Sequence, residues 1–358
     1  MPSLTYNLSL QGDYYGHKIA YDFKQVGSEY NSLGNLYLQK DIREQTLSDK
    51  VGLLDNKLYL NLRYKFLEEG ISFDNEEKGV TNKFDILINF SPGAGLPRLS
   101  SALGYQTRNN GVRENDFIEY EISDEEQVID IDSRKEHTEM MQYNFALTTP
   151  FEFYGKQNLT ISYYSSLTND LVADDNILFS IESDELYDAF PYISPRTETN
   201  TFNLNLKSDF NPFLSSVMSC SRTFFDYGED ISSYYDVLEQ NQNIFNDTDY
   251  DYDTALANVD NFKLEYGDIL YQKQVLNSFD LEFILKSYLI FDQIKVGGHF
   301  STALGVIEFD QYGLSISLLR NIFDTFYINL DYDAKTKNVL NEDNYSNSYF
   351  VVRFGYNF

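Results

Sequence analysis

The chain of 358 residues has no tryptophan, one cysteine, seven prolines and three histidines. The lone Cys220 excludes an intramolecular disulfide framework and any cysteine-rich metal site. No apolar run approaches the roughly 20 residues that a membrane-crossing helix needs. Basic residues are scarce: 27 Lys and Arg stand against 56 Asp and Glu, a formal charge of −29. Binding nucleic-acid phosphates needs a basic surface, so this balance argues against a nucleic-acid partner. The chain also lacks a Gly-x-Ser-x-Gly elbow, a His-Glu-x-x-His motif and a phosphate-binding glycine loop. His17, His137 and His299 are dispersed. His299 lies near Ser301 and Ser317, but spacing supplies neither contact nor an orienting third group. We therefore expect no enzymatic activity. The start, Met1-Pro2-Ser3-Leu4, lacks the charged and apolar regions of a secretion signal.

Aromatics are abundant, with 30 Tyr and 28 Phe, and they recur at every second position. Leu58, Leu60, Leu62, Tyr64 and Phe66 alternate with Tyr59, Asn61, Arg63 and Lys65. Phe279, Leu281, Phe283 and Leu285 oppose Asp280, Glu282 and Lys286. Period-two alternation marks strands with one apolar and one polar face. Fifteen strands are expected. The first eight are Leu4–Tyr15, Lys18–Val26, Ile42–Leu53, Leu58–Leu67, Asn82–Phe90, Leu99–Arg108, Met140–Thr149 and Asn158–Leu167. Then come Thr201–Asp209, Leu214–Phe225, Leu276–Lys286, Ile290–Phe300, Gln311–Leu319, Thr325–Lys335 and Tyr349–Phe358. Each is about as long as the 9–11 residues of a tilted membrane strand.

Short joints, such as Tyr15-Gly16-His17 and Leu54–Lys57, alternate with long polar ones at Gly27–Asp41, Glu68–Thr81, Asn109–Glu139, Thr168–Asn200 and Asp226–Val275, except near Ser301–Asp310 and Thr336–Ser348, where the outer joints are shorter. Transmembrane barrels have this asymmetry, with short periplasmic turns and long extracellular loops. Pro92, Pro97, Pro150 and Pro212 fall in the short joints, where a missing N–H breaks no ladder. The expected fold is all-β: one antiparallel transmembrane barrel of about 14–16 strands over residues 1–358, with no helix longer than a short loop turn. Phe262–Tyr271 is weakly strand-like. Fifteen strands conflict with the even number of bacterial barrels; either the chain is the C-terminal part of a longer precursor or one strand boundary is misplaced.

The last segment runs Tyr349-Phe350-Val351-Val352-Arg353-Phe354-Gly355-Tyr356-Asn357-Phe358. Its stripe of Phe350, Phe354, Tyr356 and Phe358 resembles the C-terminal assembly signal of Gram-negative outer-membrane β-barrels, except that Arg353 stands where such signals often carry Gly. The segments Tyr21–Val26, Tyr30–Asn35 and Asp41-Ile42-Arg43 are similar to a feature of large outer-membrane barrels, including the C-terminal barrels of TonB-dependent-receptor-like proteins. No plug-domain sequence accompanies them. The resemblance implies location in the bacterial outer membrane. Outer-membrane lipid, lipopolysaccharide and the barrel-assembly machinery would be its partners.

Acidity concentrates in the long joints, and the densest run is Asn246–Asp253. Asp247, Asp249, Asp251 and Asp253 offer alternate hard oxygen ligands that suit Ca²⁺, but the glycine and distal glutamate of an EF-hand are missing. A solvated loop is the plainer explanation, and diffuse Mg²⁺ or Ca²⁺ bridging to lipopolysaccharide is a third. No other cofactor is expected. Arg63, Lys65, Asp85, Lys207, Glu282, Lys295, Asp331 and Arg353 fall on the polar strand faces, as candidates to line a pore or to pair with one another. Two functions follow. One is a transport barrel, a porin-like channel or the barrel of a receptor or transporter, passing small solutes and biased toward cations by its acidic loops. The other is a barrel-anchored surface scaffold or adhesin whose acidic, aromatic loops bind a partner.

Overall fold

In a computed structural model of the chain, the structure describes residues 5–28, 41–71, 78–123, 126–182, 192–243, 252–288, 290–306, 308–322, 326–340 and 345–356. Fifteen strands form one antiparallel sheet in which each pairs with its neighbours in sequence. They are β1 (Thr5–Tyr14), β2 (His17–Val26), β3 (Ile42–Leu53), β4 (Leu58–Glu69), β5 (Gly79–Phe90) and β6 (Arg98–Asn109), followed by β9 (His137–Glu152) and β10 (Lys156–Asp170). The rest are β11 (Thr197–Asn211), β12 (Leu214–Gly228), β13 (Tyr271–Tyr288), β14 (Phe291–Gly305), β15 (Phe309–Ile322), β16 (Phe326–Val339) and β17 (Tyr345–Tyr356). Between β6 and β9 a separate hairpin pairs β7 (Asp116–Ser123) with β8 (Glu126–Ser133).

All fifteen expected strands are present, and most run longer than the alternation alone suggests. Short joints alternate with long ones from β1 to β13, and the two later joints on the long side, residues 306–308 and 340–344, are short, as expected for that stretch. At the first, Tyr15 and Gly16 both take positive φ, 48° and 85°, between the paired residues Tyr14 and His17. Two consecutive left-handed residues make a tight hairpin whose twist matches the strands, and glycine takes the second position without steric cost. Pro150 is a correction. It lies inside β9, opposite Asn158, rather than in a turn. Strand β6 ends opposite Thr148, so at Pro150 the strand has a neighbour on one side only. A missing N–H is tolerated there.

The long joints hold a second correction. Helices α1 (Ala173–Glu182), α2 (Ile231–Gln240) and α3 (Tyr252–Leu270) lie there, well beyond a short loop turn. The stretch Phe262–Leu270, read as weakly strand-like, is helical. Apolar residues at helical spacing cause this: Ile177 and Ile181 in α1, Tyr234, Val237 and Leu238 in α2, and Ala255, Val259 and Phe262 in α3. These side chains bury against one another as a small core of their own. Asp230 caps α2, its carboxylate accepting from Ser232 N at 2.9 Å.

Strands β1 and β17 are the two ends of the sheet, each paired with one neighbour among the described residues. As first and fifteenth in an antiparallel meander they run in the same direction. Direct pairing between them would put one parallel pair into an otherwise antiparallel wall.

Candidate functional site: the polar face of the wall

The registers sort every strand into two faces. On one, Leu330 sits between Leu318 and Val352, and Phe84 between Tyr64 and Tyr105. This apolar face is open: Leu10 is 56% and Phe354 66% exposed. A water-soluble monomer rarely leaves a contiguous apolar patch beyond a few hundred Å² uncovered, and here the stripe continues strand after strand. The other face carries hydroxyls, amides and charges. Across β9–β13 a row of polar pairs joins neighbouring strands: Thr148 to Thr160 at 3.0 Å, Thr201 to Thr223 at 3.0 Å, Asn205 to Ser219 at 2.7 Å and Ser221 to Ser278 at 2.7 Å. Such cross-strand pairs stabilise a sheet and settle its register.

The registers place all eight pore-lining candidates, Arg63, Lys65, Asp85, Lys207, Glu282, Lys295, Asp331 and Arg353, on this polar face. They do not converge on one point. Four make ion pairs: Lys65 with Glu44 at 3.0 Å, Asp85 with Lys83 at 3.6 Å, and Asp331 with Arg353 at 3.6 Å. Asp331 also accepts from Asn329 at 2.9 Å. Among the described residues, Arg63, Lys207, Glu282 and Lys295 have no ion-pair partner. Among the described residues the face is therefore partly ion-paired and partly not.

His299 stands on the same face, its Nδ1 2.6 Å from Oδ1 of its cross-strand partner Asp280. Neither Ser301 nor Ser317 is among its hydrogen-bond partners in the described residues. Of the assembly-signal residues, Phe350 and Phe354 lie on the apolar face of β17, Tyr356 pairs with Phe326, and Phe358 lies outside the described residues. Asp247, Asp249 and Asp251 also lie outside them, and Asp253 is in the first turn of α3. The described residues hold no cluster of metal-ligating side chains.

Two clefts flank β5 and β6. One, of about 570 Å³, opens at their loop ends and is lined by Lys78, Arg113, Lys135 and His137 among others. The other, of about 550 Å³, lies on the polar face and is lined by Arg63, Lys65, Lys83 and Arg108, with Glu69 its one acid. Lys83 and Arg108 were missed in the sequence. Alternation within β5 puts Lys83 beside Asp85, but only the interstrand registers set Lys83 opposite Lys65 and Arg108 opposite Thr81, on the same cleft.

The helical core sits over the loop ends of the wall and is tied to them. Asn176 of α1 accepts from Asn115 at 3.1 Å and donates to the Lys135 carbonyl at 3.0 Å, and Lys135 Nζ reaches Asp175 at 3.0 Å. Tyr192 donates to Asp170, and Tyr234 donates to the Tyr192 carbonyl. Burial, reinforced by the Asp170 carboxylate, raises the Tyr192 phenol far above the ordinary range, and burial does the same to Tyr234. The Arg134 guanidinium lies 5.0 Å from the Tyr192 ring centre, and burial lowers its pKa. Burial also raises the Glu229 carboxyl, against the opposing pull of Arg196 at 3.8 Å.

An antiparallel meander with one open apolar face, one polar face, short joints at one end and mostly long joints at the other is the architecture of an outer-membrane barrel wall. No protein-family description and no curated protein matches the sequence. Among solved structures it is similar to the siderophore receptor PirA from Acinetobacter baumannii, at 10% identity and TM-score 0.46, over 88% of this chain and 48% of that one. It is also similar to the siderophore receptor PirA from Pseudomonas aeruginosa, at 10% identity and TM-score 0.40, over 98% and 66%. A third is the CymD monoaromatic hydrocarbon channel, at 8% identity and TM-score 0.32, over 99% and 88%. The chain thus spans about half the length of the first receptor and 66% of the second.

Proposed function

We propose that this chain forms the wall of a non-enzymatic transport barrel in the bacterial outer membrane and passes small solutes along its polar face. One observation carries the reading: the same strands present an uncovered apolar face on one side and, on the other, a face on which Arg63, Lys207, Glu282 and Lys295 have no ion-pair partner among the described residues. Unpaired charge is costly away from water, so these groups need hydration. A wall of this strand number can surround water or a lumen closed by inserted segments.

Planar-bilayer conductance of the full-length protein in a salt gradient tests the reading. A steady conductance supports transport, and the reversal potential reports whether the acidic loops or the basic wall of β4–β6 sets the ion preference. Absence of conductance would favour the anchored scaffold. The packed core of α1–α3 lends that alternative its own support, because a loop region with a built core can present a fixed surface to a partner.

A further inference from the structure

We propose that the cleft on the polar face of β4–β6 is a binding site for a small polyanion, a solute bearing two or more carboxylate or phosphate groups. Lys65 and Lys83 are directly opposed partners of β4 and β5. Like charges facing each other across a strand pair destabilise a sheet unless something of opposite sign offsets them. The protein offsets them only in part. Lys65 turns back to Glu44 on β3 at 3.0 Å, and Lys83 turns along its own strand to Asp85 at 3.6 Å. Arg63 and Arg108 complete the rim of the cleft, and among the described residues neither has a carboxylate in ion-pair reach. Gln106 and Thr81 line the same cleft and add neutral hydrogen-bonding groups.

Glu69 lines the cleft, Glu44 and Asp85 pair with the two lysines, and Asp85 lies opposite Arg63, so four cations meet three acids and a net positive charge remains in a chain whose formal charge is −29. Its position is set by the fold, since the register of three strands brings together residues far apart in the sequence. The two arginines decide the ligand class. A guanidinium is a planar fork that matches a carboxylate or phosphate two bonds at a time, whereas an ammonium acts as a point charge. Arginines on β4 and β6, with two lysines between them, suit an anion with more than one acidic group. The cleft volume of about 550 Å³ admits a solute of that size. The negative charge of the rest of the chain repels such a solute at long range. At about 0.1 M salt the screening length is about 10 Å, so the local cations prevail within the cleft.

The inference rests on the polar face being hydrated, as proposed above, but not on passage of solute. Binding is therefore read apart from conductance. Citrate and pyrophosphate are titrated calorimetrically into the full-length protein in detergent micelles at about 0.1 M salt. Arg63→Gln/Arg108→Gln is the test variant, Arg63→Lys/Arg108→Lys keeps the charge without the fork, and Lys18→Gln/Lys24→Gln removes two cations of the same face outside the cleft. Heat-modifiability confirms that each is folded. We expect saturable binding of at least one probe, weakened about tenfold or more by the glutamine pair and less by the lysine pair. The Lys18/Lys24 variant should bind like the parent. Preference between citrate and pyrophosphate identifies the acid group. Absence of binding to the parent protein would overturn the proposal. So would equal binding by the glutamine pair, or equal weakening by Lys18→Gln/Lys24→Gln, which would show diffuse attraction to the whole face.

Discussion

Tyr327 covers Gly355, its directly opposed partner on β17, so closely that a Cβ at Gly355 would overlap the tyrosine ring. An aromatic ring over a cross-strand glycine covers backbone that would otherwise lose its packing, and it pins the register of the pair. Gly355→Ala therefore has to push the Tyr327 ring off its rotamer, at a cost of order 0.5–1.5 kcal/mol. With Tyr327→Ala already in place, the same substitution should cost almost nothing. A double-mutant cycle in refolding titrations measures the coupling, and additive effects would show that the two residues do not depend on each other.

The two faces of the wall give a sharper contrast at adjacent positions. Leu330 lies mid-strand among Leu318 and Val352, and Asn329 lies on the polar face opposite Arg353 and beside Asp331. Leu330→Arg should destabilise the protein in a bilayer by roughly 2–4 kcal/mol. Asn329→Arg should cost less even though the new charge faces Arg353 and has to share Asp331 with it, because that face is polar rather than lipid-facing. Bilayer refolding titrations of both variants decide it. Equal losses would mean that the apolar face does not meet lipid.

Strand positions were legible because residues such as Phe84, Ile86 and Ile88 alternate with Asp85 and Asn89 whatever their neighbours are. The helices were not, because Ile177, Tyr234 and Val259 sit in strongly acidic joints whose charge masks a three-to-four residue spacing. The polar face could be assigned strand by strand, which is why Arg63, Glu282 and Arg353 could be placed on it. The cleft could not. That Lys65 faces Lys83 depends on the register between strands, and a shift of one residue would send either lysine to the opposite face.

The helical core should respond separately from the wall. Leu238 is fully buried among Ile181, Val259 and Phe262 in the core cluster. Leu238→Ala should destabilise that core by about 2–5 kcal/mol. Because α1–α3 pack mainly on one another, we expect early loss of helical circular dichroism and of protease resistance near residues 231–240, while the strand signal and heat-modifiability persist. Simultaneous loss of helix and strand signals would show that wall and cap unfold as one unit.

The cap should also fail in alkali, and the sign follows from Tyr235. Its hydroxyl donates to Asp260 Oδ1 at 2.6 Å, joining α2 to α3. That hydrogen bond to a carboxylate, with a smaller share from burial, pushes the phenol up to about 12. In the unfolded chain a tyrosine titrates near 10, so the folded state holds this proton more tightly. The stabilisation is complete below about pH 10 and is lost as pH rises toward about 12. Tyr192 and Tyr234 are raised further by burial and add to the decline over a wider range. Tyr235→Phe removes one of the three titrating groups. Its helical signal should fall less steeply than the parent's between about pH 10 and 12 in a circular dichroism titration, starting from a lower stability at neutral pH. Parallel curves for the two proteins would place the Tyr235–Asp260 contact outside the forces that hold α2 against α3.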